Sequence, residues 1–252
     1  MKVFALSDIH VDYEVNAQWV AGLSLYDYRD DVLILAGDVS DCTDRLQECV
    51  QMFAKRFRQV LYVPGNHDIW VRRQPQHDSL EKFRLLCKWV EDCGASTHIF
   101  HEGGLSIVPL FGWYDYSFGE PGPELLNMWM DYRACRWPHR MHPREVAEHF
   151  CELNRPSLQV RNETVISFSH FLPRIDLMPW QIPAHKRFLY PVLGTQRLER
   201  QIRQLGSKIH VYGHSHVNRR VTLDGVSYVN NAFGYPNETH IAGRKLLCVH
   251  ER

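Results

Sequence analysis

Five apolar runs in this chain each end on aspartate, asparagine or histidine. Lys2–Leu6 runs into Ser7-Asp8-Ile9-His10, and Asp31–Ala36 into Gly37-Asp38. Gln59–Val63 runs into Pro64-Gly65-Asn66-His67-Asp68, Thr164–Phe168 into Ser169-His170, and Lys208–Tyr212 into Gly213-His214-Ser215-His216. Short β-branched and aromatic runs of this kind predict buried strands. The glycine before the polar residues lets the backbone turn sharply. Polar groups at carboxyl ends of strands stand where open α/β sheets place their ligands. A chain built this way must bring all five ends together or leave isolated polar groups beside a core.

The segments between the runs predict how the strands connect. Residues 14–26 carry a helical pattern through Val15, Trp19, Val20 and Leu23. Thr43 is the expected N-cap of a helix reaching Phe57, with Leu46, Val50 and Phe53 inward. Strand and helix alternate here, which predicts a parallel layered sheet. Ser79–Cys93, Pro143–Arg155 and Thr195–Leu205 read as further helices, the last stopped by Gly206. Thr97–Phe100 and Leu105–Leu110 read as short strands. Arg219–Leu223, Val226–Asn230 and Lys245–His250, set around Asp224-Gly225 and Ala242-Gly243, read as closing antiparallel strands. Phe171–Leu193 carries four prolines and reads as a long loop. With 252 residues and no repeat or linker, one domain is expected. It would carry an aromatic-rich excursion over about residues 112–160, where Trp113, Tyr114, Tyr116, Phe118, Trp129, Tyr132 and Trp137 alternate with Gly and Pro. Those rings either pack the excursion on the core or line a substrate pocket, and Trp70 has the same two readings.

Charge and cysteine narrow the function. Lys+Arg and Asp+Glu both number 29, so no basic excess exists to hold a nucleic-acid backbone. Seven scattered cysteines without a Cys-x-x-Cys pair read as free thiols in a reducing compartment. The first apolar run is broken at Ser7-Asp8, too early for a signal peptide, and no run approaches a membrane span. A soluble, cytoplasmic protein with no membrane partner is expected.

Asp8, His10, Asp38, Asn66, His67, His170, His214 and His216 form the polar set at the strand ends. Carboxylates and imidazoles packed together must neutralise or bind cations. Mixed oxygen and nitrogen donors suit manganese, iron or zinc, and seven ligands fit two ions that share a bridge. Asp12 and Asp68 read as hydrogen-bonding loop residues, and Arg174 as a solvated side chain or a phosphate contact.

The ordered set Asp-x-His, Gly-Asp, Gly-Asn-His-Asp, lone His and Gly-His-x-His resembles the calcineurin-like metallophosphoesterase superfamily, with all five blocks present between Asp8 and His216. The resemblance implies a four-layer α/β/β/α sandwich with two mixed sheets. It implies one metal on Asp8, His10, Asp38 and His216, and a second on Asp38, Asn66, His170 and His214, with Asp38 bridging. It implies a catalytic His67 that stabilises or protonates the leaving oxygen while a metal-bridging hydroxide attacks. It also implies a carboxylate orienting that histidine three residues after the bridging Asp, where Asp41 stands; Asp41 reads equally as an Asx turn before Thr43. Cys42 follows where the protein serine/threonine phosphatases continue with Arg, which argues against that branch. The expectation is a dinuclear metal-dependent phosphoesterase acting on a small phosphorylated molecule or nucleotide. The competing readings are a nuclease and a non-catalytic scaffold of the same fold. The neutral charge disfavours the nuclease, and the intact ligand set with His67 disfavours the scaffold.

Overall fold

A computed structural model describes all 252 residues. The predicted β-α-β-α-β start is present as β1 (Lys2–Leu6), α1 (Glu14–Ala21), β2 (Val32–Leu35), α2 (Thr43–Ala54) and β3 (Gln59–Tyr62). After α3 (Ser79–Asp92), the short strand β4 (Ala95–Ser96) joins this group, and β11 (Leu247–Glu251) pairs antiparallel with β1. The first sheet therefore has the order β11-β1-β2-β3-β4, with β1 to β4 parallel. The second sheet takes β5 (Phe100–Glu102), β6 (Leu105–Pro109), β7 (Thr164–Phe168), β8 (Ile209–Tyr212), β9 (Arg219–Leu223) and β10 (Val226–Asn230). Its order is β5-β6-β7-β8-β10-β9, parallel through its middle and antiparallel at both edges.

Alternation along the strands builds the layers. Val3, Ala5, Val32, Ile34, Leu61 and Val63 from the first sheet meet Leu105, Ile107, Ile166, Phe168, Val211 and Val229 from the second in one buried cluster. Leu33, Leu35, Val60 and Tyr62 point the other way, into a cluster with Leu46, Val50 and Phe53 of α2 and with Leu80, Phe83, Leu86 and Val90 of α3. On the far side, Val165, Tyr212 and Tyr228 share that second cluster with residues of α6 (Pro143–Leu153) and α7 (Gln196–Leu205). Strands covered on both faces read as unbroken apolar runs, which is why the sequence shows them so. The result is the expected four-layer α/β/β/α sandwich with two mixed sheets. A parallel bridge between Ser7 and Ala232 joins the sheets at the end where the polar residues gather.

Several boundaries move for identifiable reasons. α1 stops at Ala21, not residue 26, because Arg56 takes over the helix end: its Nη2 donates to Ala21 O at 2.8 Å and its Nε to Leu23 O at 3.0 Å. Thr43 is the first helical residue and not the cap; its hydroxyl accepts from Gln74 Nε2 at 3.1 Å. The strand expected at Thr97–Phe100 is not formed: β4 ends at Ser96 and β5 begins at Phe100, because the chain leaves the first sheet there and enters the second. Within residues 112–160, α4 (Pro123–Met128), α5 (Asp131–Ala134) and α6 fold with the main body, and Trp113, Tyr114 and Tyr116 are buried in its cluster. The long loop before α7 contains short 3-10 turns at Ile175–Leu177 and Ala184–Val192. No helix is long and apolar enough to cross a membrane.

One buried histidine lies apart from the polar cluster. His210 in β8 sits between Ser167 Oγ at 2.8 Å and Ser169 Oγ at 3.1 Å, and burial holds its imidazole down to about 3. The unfolded chain therefore takes up a proton near pH 6.5 that the folded one refuses, so stability falls as pH drops below 6.5. Between pH 7 and 5.5, wild type is expected to lose about 1 kcal/mol more than His210→Gln. Urea unfolding at the two pH values measures the difference.

Candidate metal centre

The five strand ends converge, and the backbone there is held in unusual conformations. Asp8 (φ 52°), His10 (φ 42°), Asp38 (φ 56°), His214 (φ 67°) and His216 (φ 55°) all occupy the left-handed region. Asp and His tolerate that region better than most residues, at about 1–3 kcal/mol each. Asp8 and His10 are thus not side by side on an extended strand. Each follows a reversal fixed by Asp8 N donating to Gly37 O at 2.9 Å and His10 N to Asp38 O at 3.1 Å. Gly37 has φ 83°, and a Cβ there would stand 2.6 Å from His170 Nδ1. A Cβ on Gly65 would collide with the Asp38 carboxylate.

Asp68 fastens these loops. Its Oδ1 accepts from Val39 N (2.8 Å) and Ser40 N (3.0 Å), and its Oδ2 from Asp38 N, Gly65 N and Tyr62 Oη, each at 2.8 Å. The carboxylate faces only donors, as its reading as a loop residue expects.

The donor atoms come within one ion's reach. Asp8, His10 and His216 bring ligand atoms within 4.8 Å of one another, as do Asp38, His170 and His214. His216 Nε2 lies 3.2 Å from Asp8 Oδ1 and 3.3 Å from His10 Nε2. His170 Nε2 lies 3.1 Å from both Asn66 Oδ1 and His214 Nδ1, and 3.5 Å from Asp38 Oδ2. Two ligands about 2.1 Å from a shared ion stand roughly 3.0–3.5 Å apart. Tautomers sharpen this fit. His170 Nδ1 faces Ala36 O at 2.9 Å and His214 Nε2 faces Val192 O at 3.0 Å, so each carries its proton there. Two bare lone pairs then face each other across 3.1 Å. Such a pair repels unless a cation lies between. His216 Nδ1 likewise points at Glu238 Oε2, 2.6 Å away, which turns Nε2 toward Asp8. The residues present fit two metal ions.

Burial also governs the protonation of the cluster. Burial holds His10, His170 and His214 below the usual imidazole range, and holds His67 down to about 3. Burial acts the same way on His216, but the Asp8 and Glu238 carboxylates outweigh it and push the ring up to about 10. Burial, with Asp68 and Asp8 nearby, pushes the Asp38 carboxyl up. Buried carboxylates and neutral imidazoles thus share one small volume, as donors to a cation would.

His67 stands beside the cluster. Its N–H donates to Asp38 Oδ1 at 3.0 Å, and its ring stacks on Trp70 with centroids 3.8 Å apart. Asp41, expected beside His67, is bonded elsewhere. Its carboxylate accepts from Arg73 Nε at 2.9 Å and makes no hydrogen bond to His67, because the start of α2 carries it toward the Arg73 side. Arg174 is likewise spent on Asp176, Glu199 and Asp224.

Three supporting residues escaped the sequence reading. Glu238 holds His216. Asn16 Nδ2 donates to Ile9 O (2.7 Å) and Gly234 O (3.1 Å), bracing the His10 loop. Asp131 accepts from Asn66 Nδ2 at 2.9 Å and Trp70 Nε1 at 2.7 Å. None sits in a motif or at the end of an apolar run, so no local signal marks them.

Residues 1–218 match the calcineurin-like phosphoesterase family. The chain belongs to that family. It is 27% identical, over 94% of its length and 78% of the relative's, to the [acyl-carrier-protein] phosphodiesterase PptH of Mycobacterium tuberculosis. The crystal structure of that phosphopantetheinyl hydrolase superposes with a TM-score of 0.81 at 24% identity, covering 94% of this chain and 90% of the other. A crystal structure from Thermus thermophilus shares the fold more distantly, with a TM-score of 0.53 at 15% identity over 91% of this chain and 88% of the other. Like its family, the chain is a metal-dependent phosphoric ester hydrolase. Because every partner of Asp68 is a donor, Asp68→Asn sets an amide N–H against N–H or O–H groups. Urea unfolding of the metal-free variant is expected to show a loss of about 2–4 kcal/mol.

Proposed function

We propose that Asp8, His10, Asp38 and His216 hold one ion, that Asp38, Asn66, His170 and His214 hold a second, and that the chain hydrolyses a phosphodiester. The facing lone pairs of His170 and His214 are the observation that carries this reading. Manganese, iron or zinc suits the mixed imidazole and carboxylate set. When bound, the ions supply Lewis acidity toward a phosphoryl oxygen and toward water.

The protein's own contribution is orientation and proton delivery. Asp38, central to both sets, keeps the two halves at one spacing. His67 presents Nε2 toward the Asp38 side of the cluster, 3.9 Å from Asp38 Oδ2. Burial first, then the other imidazoles, lowers its proton affinity. A substrate phosphate arriving there reverses that field and favours the protonated ring. His67 then gives its proton to the leaving oxygen. Such help matters most for an alkoxide, which leaves poorly unprotonated.

The similarity to PptH supports a phosphopantetheinyl group on an acyl carrier protein as the substrate. Neutral net charge speaks against a polynucleotide. Metal-stripped protein reloaded with manganese and given a phosphopantetheinyl carrier protein is expected to release the apo-carrier, followed by mass spectrometry. Conversion of small bis-esters alone would move the substrate to small diesters. His67→Ala is expected to lower kcat about 10²–10⁴-fold on an alkyl diester and far less on a p-nitrophenyl ester, whose leaving group needs no proton. Equal losses on both would remove the general-acid role.

A further inference from the structure

Asp131 opens α5, far in sequence from every metal motif, yet it is only 2% exposed and sits against the site. Its Oδ1 accepts from Asn66 Nδ2 (2.9 Å) and Trp70 Nε1 (2.7 Å), and its Oδ2 from Trp129 Nε1 (2.8 Å). The segment is anchored to the loop it serves. Val71 N donates to Ala134 O at 2.9 Å, and Ser79 N to Arg136 O at 2.7 Å.

The residue type matters as much as the contact. An asparagine side chain has two faces, one donating and one accepting. An ionised carboxylate only accepts, so the Asn66 amide must turn its NH₂ to Asp131. Its Oδ1 then faces His170 Nε2, 3.1 Å away. Any donor at position 131 would tolerate the flipped amide, which aims N–H groups at the place of a cation. The same carboxylate pins the Trp70 indole on which the His67 ring is stacked. We propose that Asp131 is the positioning residue that sets both the Asn66 donor and the His67 ring, joining metal binding to proton delivery through one side chain.

This inference rests on reading Asn66 as a donor to the second ion. Asp131→Asn keeps the shape but places an N–H against Asn66 and Trp70, or against Trp129. Calorimetric titration of the metal-free proteins with zinc is expected to give two ions for wild type. In Asp131→Asn, the weaker ion is expected to lose about 10–100-fold in affinity. The variant is expected to lose kcat on an alkyl diester, more than on a p-nitrophenyl ester, while KM stays within about threefold, since positioning acts on the reacting geometry. Tyr132→Phe, on the same short helix but bonded only to Tyr116, is expected to keep both ions. Two ions of unchanged affinity and unchanged kcat in Asp131→Asn would overturn the role of Asp131 and leave the metal reading intact. Fewer than two ions in wild type would overturn both. Should Asp131→Asn fail to fold, side-chain amide spectra of zinc-loaded wild type decide. A downfield, slowly exchanging Asn66 proton is expected, and one that exchanges as fast as an exposed asparagine would overturn the proposal.

Discussion

Lone pairs and negative charge converge at one end of this molecule, and the surrounding structure is organised to hold them there. His170 and His214 each give a ring proton to a backbone carbonyl, so their remaining nitrogens face each other across 3.1 Å. Asp8 and Asp38 are fully buried among imidazoles. Without rigid support, loops carrying such groups would swing apart into water. Support comes from two packed sheets, from backbone bonds between the ligand loops, and from Asp68, whose five donors close the ends of β2 and β3 together.

The strand ends were legible in the sequence because burial on both faces of a strand leaves an unbroken apolar run, and the break to Asp or His is abrupt. Asp8, His10, Asp38, Asn66, His170, His214 and His216 therefore stood out individually, and they are brought into one cluster. The order of the motifs carried the family and, through it, the layering. Strand count alone did not distinguish one sheet from two. The split between Ser96 and Phe100 that sends the chain from one sheet to the other is a matter of three-dimensional packing.

The supporting side chains were illegible for a different reason. Glu238, Asn16 and Asp131 act through hydrogen bonds to residues 22, 218 and 65 positions away, and no periodicity encodes that distance. Asp41 shows the converse. Its spacing from Asp38 suggested a role beside His67, but Arg73 takes its carboxylate. Trp70, readable from sequence only as packing or pocket, turns out to be the surface against which His67 is held.

The left-handed backbone at five of the seven expected ligands has a bearing on how ions come and go. Those dihedrals are held by hydrogen bonds between the loops and from Asp68: Asp8 N to Gly37 O, His10 N to Asp38 O and Asp38 N to Asp68 Oδ2. Ligand loops braced in this way have little conformational freedom left to lose when an ion is taken up. A rigid cage of imidazole and carboxylate discriminates weakly among first-row ions. Selection among such ions falls to supply more than to affinity.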